Sequence, residues 1–295
     1  MGLPAELTGR LLLLPALVLI GLFVIFPVAW GVYISFTDMT LVGPKAVKYG
    51  FVMFKNYLRL LADPDFWNSL RVSFLFTVFS ALIGQASLGL ALALVLRMEG
   101  IKGKTAVALV VFIAWIIPEV VAGFTWGSFA MKWGYLNAML DPIYRLLGMK
   151  YINWLYEKPL ETIIIANIWR GTAFSMILFT AALESIPKFL YEAAEVDGAS
   201  SWQKFRYITF PLLSYAILID FILITIWTFM VFTMIYVMTG GGPGTATELW
   251  TIFVYKRAFT PPYTLGYAAA AANIMFMIVL ALIVTYLVMI RRIRW

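Results

Sequence analysis

Neither cysteine nor histidine occurs among the 295 residues. The first absence excludes disulfides and thiolate metal sites. The second removes the commonest metal ligand and the usual base of nucleophilic triads. Charge is scarce as well. Only 13% of residues are Asp, Glu, Lys or Arg while 63% are hydrophobic, and soluble domains carry about 25% charged residues. The chain therefore reads as a membrane protein. Its net charge of +7 fits Lys and Arg in loops that flank spans rather than a nucleic-acid surface.

A helix needs about 20 apolar residues to cross a bilayer. Six stretches qualify: 11–34, 72–96, 105–131, 161–184, 213–238 and 265–290. The sequence predicts an all-α membrane protein with six transmembrane helices in one domain, 1–295. The first run exceeds the roughly 7–15-residue core of a signal peptide and is read as a retained span. Pro15, Pro27 and Pro118 interrupt spans, which membrane helices tolerate where neighbours satisfy the freed backbone groups. Six spans put both termini on one side. That side (1–10, 97–104, 185–212 and 291–295) carries 10 Lys and Arg over 51 residues, against 11 over 92 on the other. The density, and the terminal "RRIRW", place both termini of the multi-pass chain in the cytoplasm. The connections 35–71 and 132–160 are too apolar and aromatic for linkers and read as short surface helices.

Gly103-Lys104-Thr105 looks like the end of a phosphate-binding loop. The glycine needed five residues earlier is Met98, and a span rather than a strand precedes it, so nucleotide binding there is rejected. The connection 185–212 is more informative. Ser185 can cap a helix that Pro187 opens. Ile186, Phe189, Leu190, Ala193 and Val196 form one apolar face at helical spacing. Gly198 permits the left-handed turn that ends a helix, Ser200 or Ser201 can cap a second short one, and Pro211 opens the next span. The polar face holds Glu192, Glu195 and Asp197. Helices that lie on anionic lipid are instead rich in Lys and Arg. Ala193, Ala194 and Ala199 let another surface approach closely. A protein partner with a basic-rimmed groove fits better than a lipid surface.

"EAAEVDGASSWQKFRYITFPLL" resembles the EAA signature of ATP-binding-cassette importer permeases, with Glu192, Ala193, Ala194, Gly198, Ile208 and Pro211 at its defining positions. "MTGGGPGTATELWTIFVYKRAF", 238–259, looks like the Gly-rich outer loop of carbohydrate permeases of the maltose-permease type, and "FPVAWGVYISFTDMTL", 26–41, like their first span and its exit. The chain is similar to the shorter, six-span members. The resemblance implies a type I ABC importer-like transmembrane domain. In it, residues 185–212 form a cytoplasmic coupling helix that docks on an ATPase through Glu192, Ala193, Ala194, Asp197, Gly198 and Ala199. It implies a second permease subunit in a heterodimer, two ATP-binding subunits that hold ATP and Mg, and an extracytoplasmic substrate-binding protein. This subunit would itself be non-catalytic, bind no cofactor or metal, and form half of a sugar pathway that works by alternating access.

Ionisable residues inside spans are costly and mark pathways. Glu119, Arg170 and Asp220 stand out, joined by Asn167, Thr172, Thr225, Thr228 and Asn273. Two compatible readings stand for Glu119 and Arg170: an ion pair that locks two spans, or a lining of the solute pathway. The resemblance places the sugar site on Arg170, Gly171, Phe174, Thr228 and Val231. Thr228 and Val231 stand where the maltose permease has amide side chains, which leaves the sugar open. Trp227 is a neighbouring candidate. Asp220 could pair with a partner subunit or shape the inner gate. Gly240, Gly241, Gly242 and Pro243 form either a plain turn or a contact for the binding protein at an outer gate. A secondary transporter driven by an ion gradient, with Glu119 or Asp220 as proton carrier, is the alternative; no inverted repeat supports it. A membrane-embedded enzyme would need a convergent acidic cluster that the sequence does not offer.

Overall fold

The computed structural model describes residues 5–98 and 100–293. The last two residues of "RRIRW" lie outside them. Among the described residues, five helices are long and apolar enough to cross a membrane, or up to six if one bent pair counts as a span. The long helices are α1 (Leu13–Ser35), α3 (Pro64–Arg97), α8 (Pro159–Glu184), α10 (Ser201–Met230) and α13 (Leu265–Arg291). The bent pair is α4 (Lys104–Ile116) with α5 (Glu119–Phe129). Short helices fill the connections: α2 (Lys55–Leu61), α6 (Tyr135–Leu147), α7 (Trp154–Glu157), α9 (Lys188–Val196), α11 (Thr233–Thr239) and α12 (Trp250–Phe259). The loops 35–71 and 132–160 thus carry the short helices that their apolar residues suggest.

Four expectations need correction. The run 105–131 is not one helix: α4 and α5 meet at 105°. Ile117 takes ψ 128° and Pro118 ψ 140°, because a residue before proline avoids the helical region and proline offers no N–H to continue the ladder. The run 213–238 also breaks, and its helix starts well before Pro211: Ser201–Met230 is continuous, π-helical over Phe205–Thr209, so no separate short helix precedes the span. α10 ends at Met230, Val231 is extended at ψ 133°, and α11 starts afresh at Thr233. Finally, Ser185 does not cap α9. Its hydroxyl donates to the Ala182 carbonyl at 2.7 Å, and Pro187 occupies the cap position.

The chain divides into two compact units. One combines Met1–Phe66 with Phe253–Ile278. Within it Asn56 Nδ2 donates to the carbonyls of Ser35 and Thr37, both at 2.8 Å. Arg257 pairs with Asp65 at 2.9 Å, and Tyr267 donates to Asp63 at 2.6 Å. Beyond the end of α1, Asp38 accepts from Lys45 Nζ and from the Gly50 N–H at 2.7 Å. The Lys45 hydrogen bond, then that of Gly50, holds the Asp38 carboxyl below its ordinary 3.8. A depressed folded pKa stabilises above the unfolded value and is lost as pH falls through the folded one. Gly50 amide exchange, corrected for its intrinsic pH dependence, is therefore expected to accelerate as pH drops below about 4. An unchanged protection factor down to pH 2 would contradict the tie.

The other unit combines Trp67–Ile252 with Val279–Trp295. α8 is its centre and packs against α3, α4 and α10. One core joins Phe76 of α3, Ile163 and Ala166 of α8, Ala122 of α5, Met234 and Ile235 of α11, and Ile252 of α12. A second core, around Phe179, Leu183 and Leu213, receives Leu190 and Tyr191 of α9. Inside α3, residues Thr77–Gln85 are π-helical, an irregularity that often accompanies a site.

Candidate functional site

A cavity of about 390 Å³ opens in this second unit, where the α4–α5 break meets α3, α8 and α10. The break places Glu119 in the first turn of α5, where an acid suits the positive end of the helix dipole. Arg170 of α8 reaches it, with Nη1 3.3 Å from Glu119 Oε1. Both side chains keep partial exposure, 23% and 35%, and both line the cavity. The pair is therefore both a lock between helices and part of the wall. Arg170 Nε is buried and finds no acceptor among the described residues.

Aromatic rings supply another wall. Phe174 lies one turn after Arg170, and Trp227 of α10 meets it edge-on at 4.6 Å. Trp115 of α4 stands 6.2 Å from Phe174 on another side. Such π faces suit the C–H-rich faces of a ring solute. Gly171, Thr228 and Val231 complete the expected set, so all seven residues singled out from the sequence line one cavity. Gln85, Trp115, Ile224 and Met230 line it too and escaped notice. A polar side chain inside a span was signal enough for Gln85. Asn167 lines the cavity and donates to Ser80 at 2.8 Å. Thr172 instead bonds back to the Ile168 carbonyl, Thr225 meets Tyr286, and Asn273 donates to Tyr57.

Asp220 is fully buried. Its carboxylate accepts from Ser175 Oγ at 2.9 and 3.0 Å. Pairing with another subunit is thereby excluded in this arrangement, because the carboxylate faces its own chain's interior.

α9 lies between the Glu184 end of α8 and the Ser201 end of α10. Gly198 adopts φ +73° and ends it, and the Gly198 and Ala199 N–H groups close on Glu195 and Ala194. Ser200 caps the following turn in a full capping box with Gln203. The apolar face divides: Ile186 and Leu190 pack inward, while Phe189 and Val196 are 64% and 89% exposed. Glu192, Ala193, Asp197 and Gly198 are exposed as well. Tyr191 anchors the helix. Its hydroxyl lies 2.9 Å from Thr209 Oγ1 and accepts from Arg97 Nη1 at 3.0 Å, with the Arg97 guanidinium over its ring.

The glycine loop is a tied turn. Gly240, Gly241 and Gly244 have positive φ, and Thr247 donates to the Gly242 carbonyl at 2.8 Å while its N–H donates to Gly241. Gly242 and Pro243 are half-buried. Among the described residues no group of three or more His, Cys, Asp or Glu converges to hold a metal ion.

Residues 10–295 match the family of binding-protein-dependent transport system inner membrane components. The chain belongs to this family. This permease is 36% identical over 283 residues to the trehalose/maltose transport system permease protein of Thermococcus litoralis, covering 95% of this chain and 92% of that one. It is 34% identical over 291 residues to the sulfoquinovosyl glycerol transport system permease protein of Agrobacterium fabrum, with 97% and 91% covered. Its fold superposes with a TM-score of 0.81 on a chain of a bacterial alginate ABC transporter solved with an alginate pentasaccharide-bound periplasmic protein. That match is 22% identical and covers 98% of this chain and 95% of the other. The permease is thus an ABC-importer-type multi-pass membrane protein, as the EAA signature implies.

Proposed function

We propose that this permease forms half of the translocation pathway of an ATP-driven, binding-protein-dependent sugar importer, with a di- or oligosaccharide or a related compound as solute. The observation that carries the reading is the cavity itself. It sets a charged pair, Glu119 and Arg170, beside an aromatic wall of Trp115, Phe174 and Trp227. Sugars present that same combination of hydroxyls and apolar ring faces. The named relatives transport trehalose and maltose or a sulfoquinovosyl glycerol, which supports the class without choosing the sugar.

The exposed end of α9, with Glu192, Ala193, Ala194, Asp197, Gly198 and Ala199, docks on a separate ATPase, which binds ATP and Mg. A second permease subunit supplies the other half of the path and the other docking helix. Gly240, Gly241, Gly242 and Pro243 face the extracytoplasmic binding protein or the outer gate. Both termini are cytoplasmic in the inner membrane. Tyr191, held by Arg97 of α3 and Thr209 of α10, conveys movement of α9 to the helices around the cavity. ATP-driven approach of the ATPases then exposes the cavity to alternate sides, and solute biases that equilibrium only through its differential affinity for the two states.

Arg170→Ala tests the cavity reading. It removes the cavity's cation and leaves Glu119 without its partner. Solute uptake by the assembled complex is expected to fall about tenfold or more, and basal ATP hydrolysis to fall less. Equal loss of both would reduce the pair to a structural lock.

A further inference from the structure

One cavity residue has no task in the reading above. Gln85 sits at the end of the π-helical stretch of α3 and is 4% exposed. It lines the cavity from a helix that carries neither the ion pair nor the aromatic wall. Its Nε2 donates to Ser175 Oγ at 3.3 Å. Ser175 is fully buried and gives its own hydroxyl proton to Asp220, with Oγ 2.9 and 3.0 Å from the two carboxylate oxygens.

The hydrogen-bond directions set this relay: Ser175 donates to Asp220 and accepts from Gln85. A serine hydroxyl has one proton and otherwise only lone pairs, and a carboxylate only accepts. Once Ser175 donates to Asp220, its oxygen can only accept from the other side. The Gln85 amide must therefore turn its N–H₂ to Ser175, and Oε1 faces elsewhere. Gly171 stands at that oxygen: any Cβ on residue 171 would collide with Gln85 Oε1. Glycine at 171 thus leaves the space into which the amide oxygen projects. The three relay residues sit on α3, α8 and α10, and Gln85 and Gly171, against which the amide oxygen rests, both line the cavity beside Arg170.

We propose that Gln85 is a specificity-determining residue of the cavity. Its amide oxygen accepts a hydrogen bond from a solute hydroxyl, and Asp220, acting through Ser175, is the positioning residue that keeps this oxygen facing the solute. The proposal rests on the sugar-import reading and sharpens it: the favoured solute offers a hydroxyl donor to Gln85, and a deoxy analogue at that carbon leaves the acceptor unpaired.

The test uses the complete importer in proteoliposomes. The probe is whichever sugar the wild type imports from a panel of di- and oligosaccharides that includes trehalose and maltose, together with its monodeoxy analogues. In the wild type one deoxy position is expected to be imported about tenfold less well than the parent sugar, the cost of one unmade hydrogen bond. Gln85→Met, similar in shape and without a strong acceptor, brings that ratio to about one at that position only. Asp220→Leu removes the acceptor of the Ser175 proton, which frees that proton for Oε1 and turns the amide. It is expected to abolish the same discrimination with Gln85 intact. A merely structural Asp220 would lower uptake of parent and analogues alike. Co-purification of the subunits establishes assembly of each variant. Unchanged discrimination in either assembled variant overturns the proposal, as does a wild type that takes every deoxy analogue as well as the parent. A wild type that imports neither trehalose nor maltose nor any other sugar of the panel overturns the sugar reading and this proposal with it.

Discussion

Gly198→Asp is expected to abolish ATP-driven uptake, by about 100-fold or more, while the permease still inserts into the membrane. Two costs combine. Gly198 holds φ +73°, where an L side chain costs about 1–2 kcal/mol. A further acid buried against the ATPase without a partner costs about 2–5 kcal/mol. Together these exceed the roughly 2.7 kcal/mol that corresponds to 100-fold. Nothing of this chain lies within 4 Å of the added Cβ, so the permease's own packing is spared. Measured uptake, against the amount of membrane-inserted protein, decides the matter. Normal uptake with normal insertion would sink the docking role of α9. A charge at Ala194, which is half-buried on the same turn, is expected to act in the same way.

Gly171→Leu is the second large effect. Its Cβ would meet the carbonyl end of Gln85 first, and the rest of the side chain would extend into a cavity of only about 390 Å³. The displaced atoms belong to the end of a flexible side chain rather than to backbone, so helix packing survives. Uptake is expected to drop at least tenfold with subunit assembly retained, and Gly171→Ala to give a smaller loss through the shift of Gln85 alone. Wild-type uptake by the assembled Gly171→Leu complex would place the solute path elsewhere.

Hydropathy sees composition over a window of about 20 residues, not helix continuity. The spans 11–34, 72–96, 161–184 and 265–290 correspond to single helices for that reason. The bend at Pro118 was foreshadowed by the proline but not its size, because an interrupted ladder can be re-satisfied by neighbours without a turn of 105°. The break at Val231 carries no proline or glycine and has no local signal. There the carbonyl of Val231 is taken by Thr251 Oγ1 at 2.7 Å, a contact between residues 20 apart that only the fold creates.

The cavity was legible through its charges and through the family resemblance. Glu119 and Arg170 were conspicuous as ionised groups in apolar runs. Trp115 was not, because an aromatic inside a span ordinarily packs against neighbours or lipid. Asp220 was conspicuous too, as a pairing residue or an inner-gate residue, but its actual partner was not: the serine that satisfies it lies on α8 of the same chain. α9 shows the same limit. Its apolar positions were evident, but whether each faces inward or outward depends on the spans beneath, which bury Ile186 and Leu190 and leave Phe189 and Val196 bare.

The central claim is that this permease passes sugar through the Glu119–Arg170 cavity at the expense of ATP hydrolysed by a partner. The most direct measurement is uptake of labelled sugar, from a panel that includes trehalose and maltose, into proteoliposomes that contain the assembled importer, with the binding protein outside and ATP inside, compared with an imposed proton or sodium gradient without ATP. Uptake is expected to require both ATP and the binding protein, to be indifferent to the gradient, and to fall about tenfold or more in Arg170→Ala. Uptake driven by the gradient alone, without ATP, would contradict it.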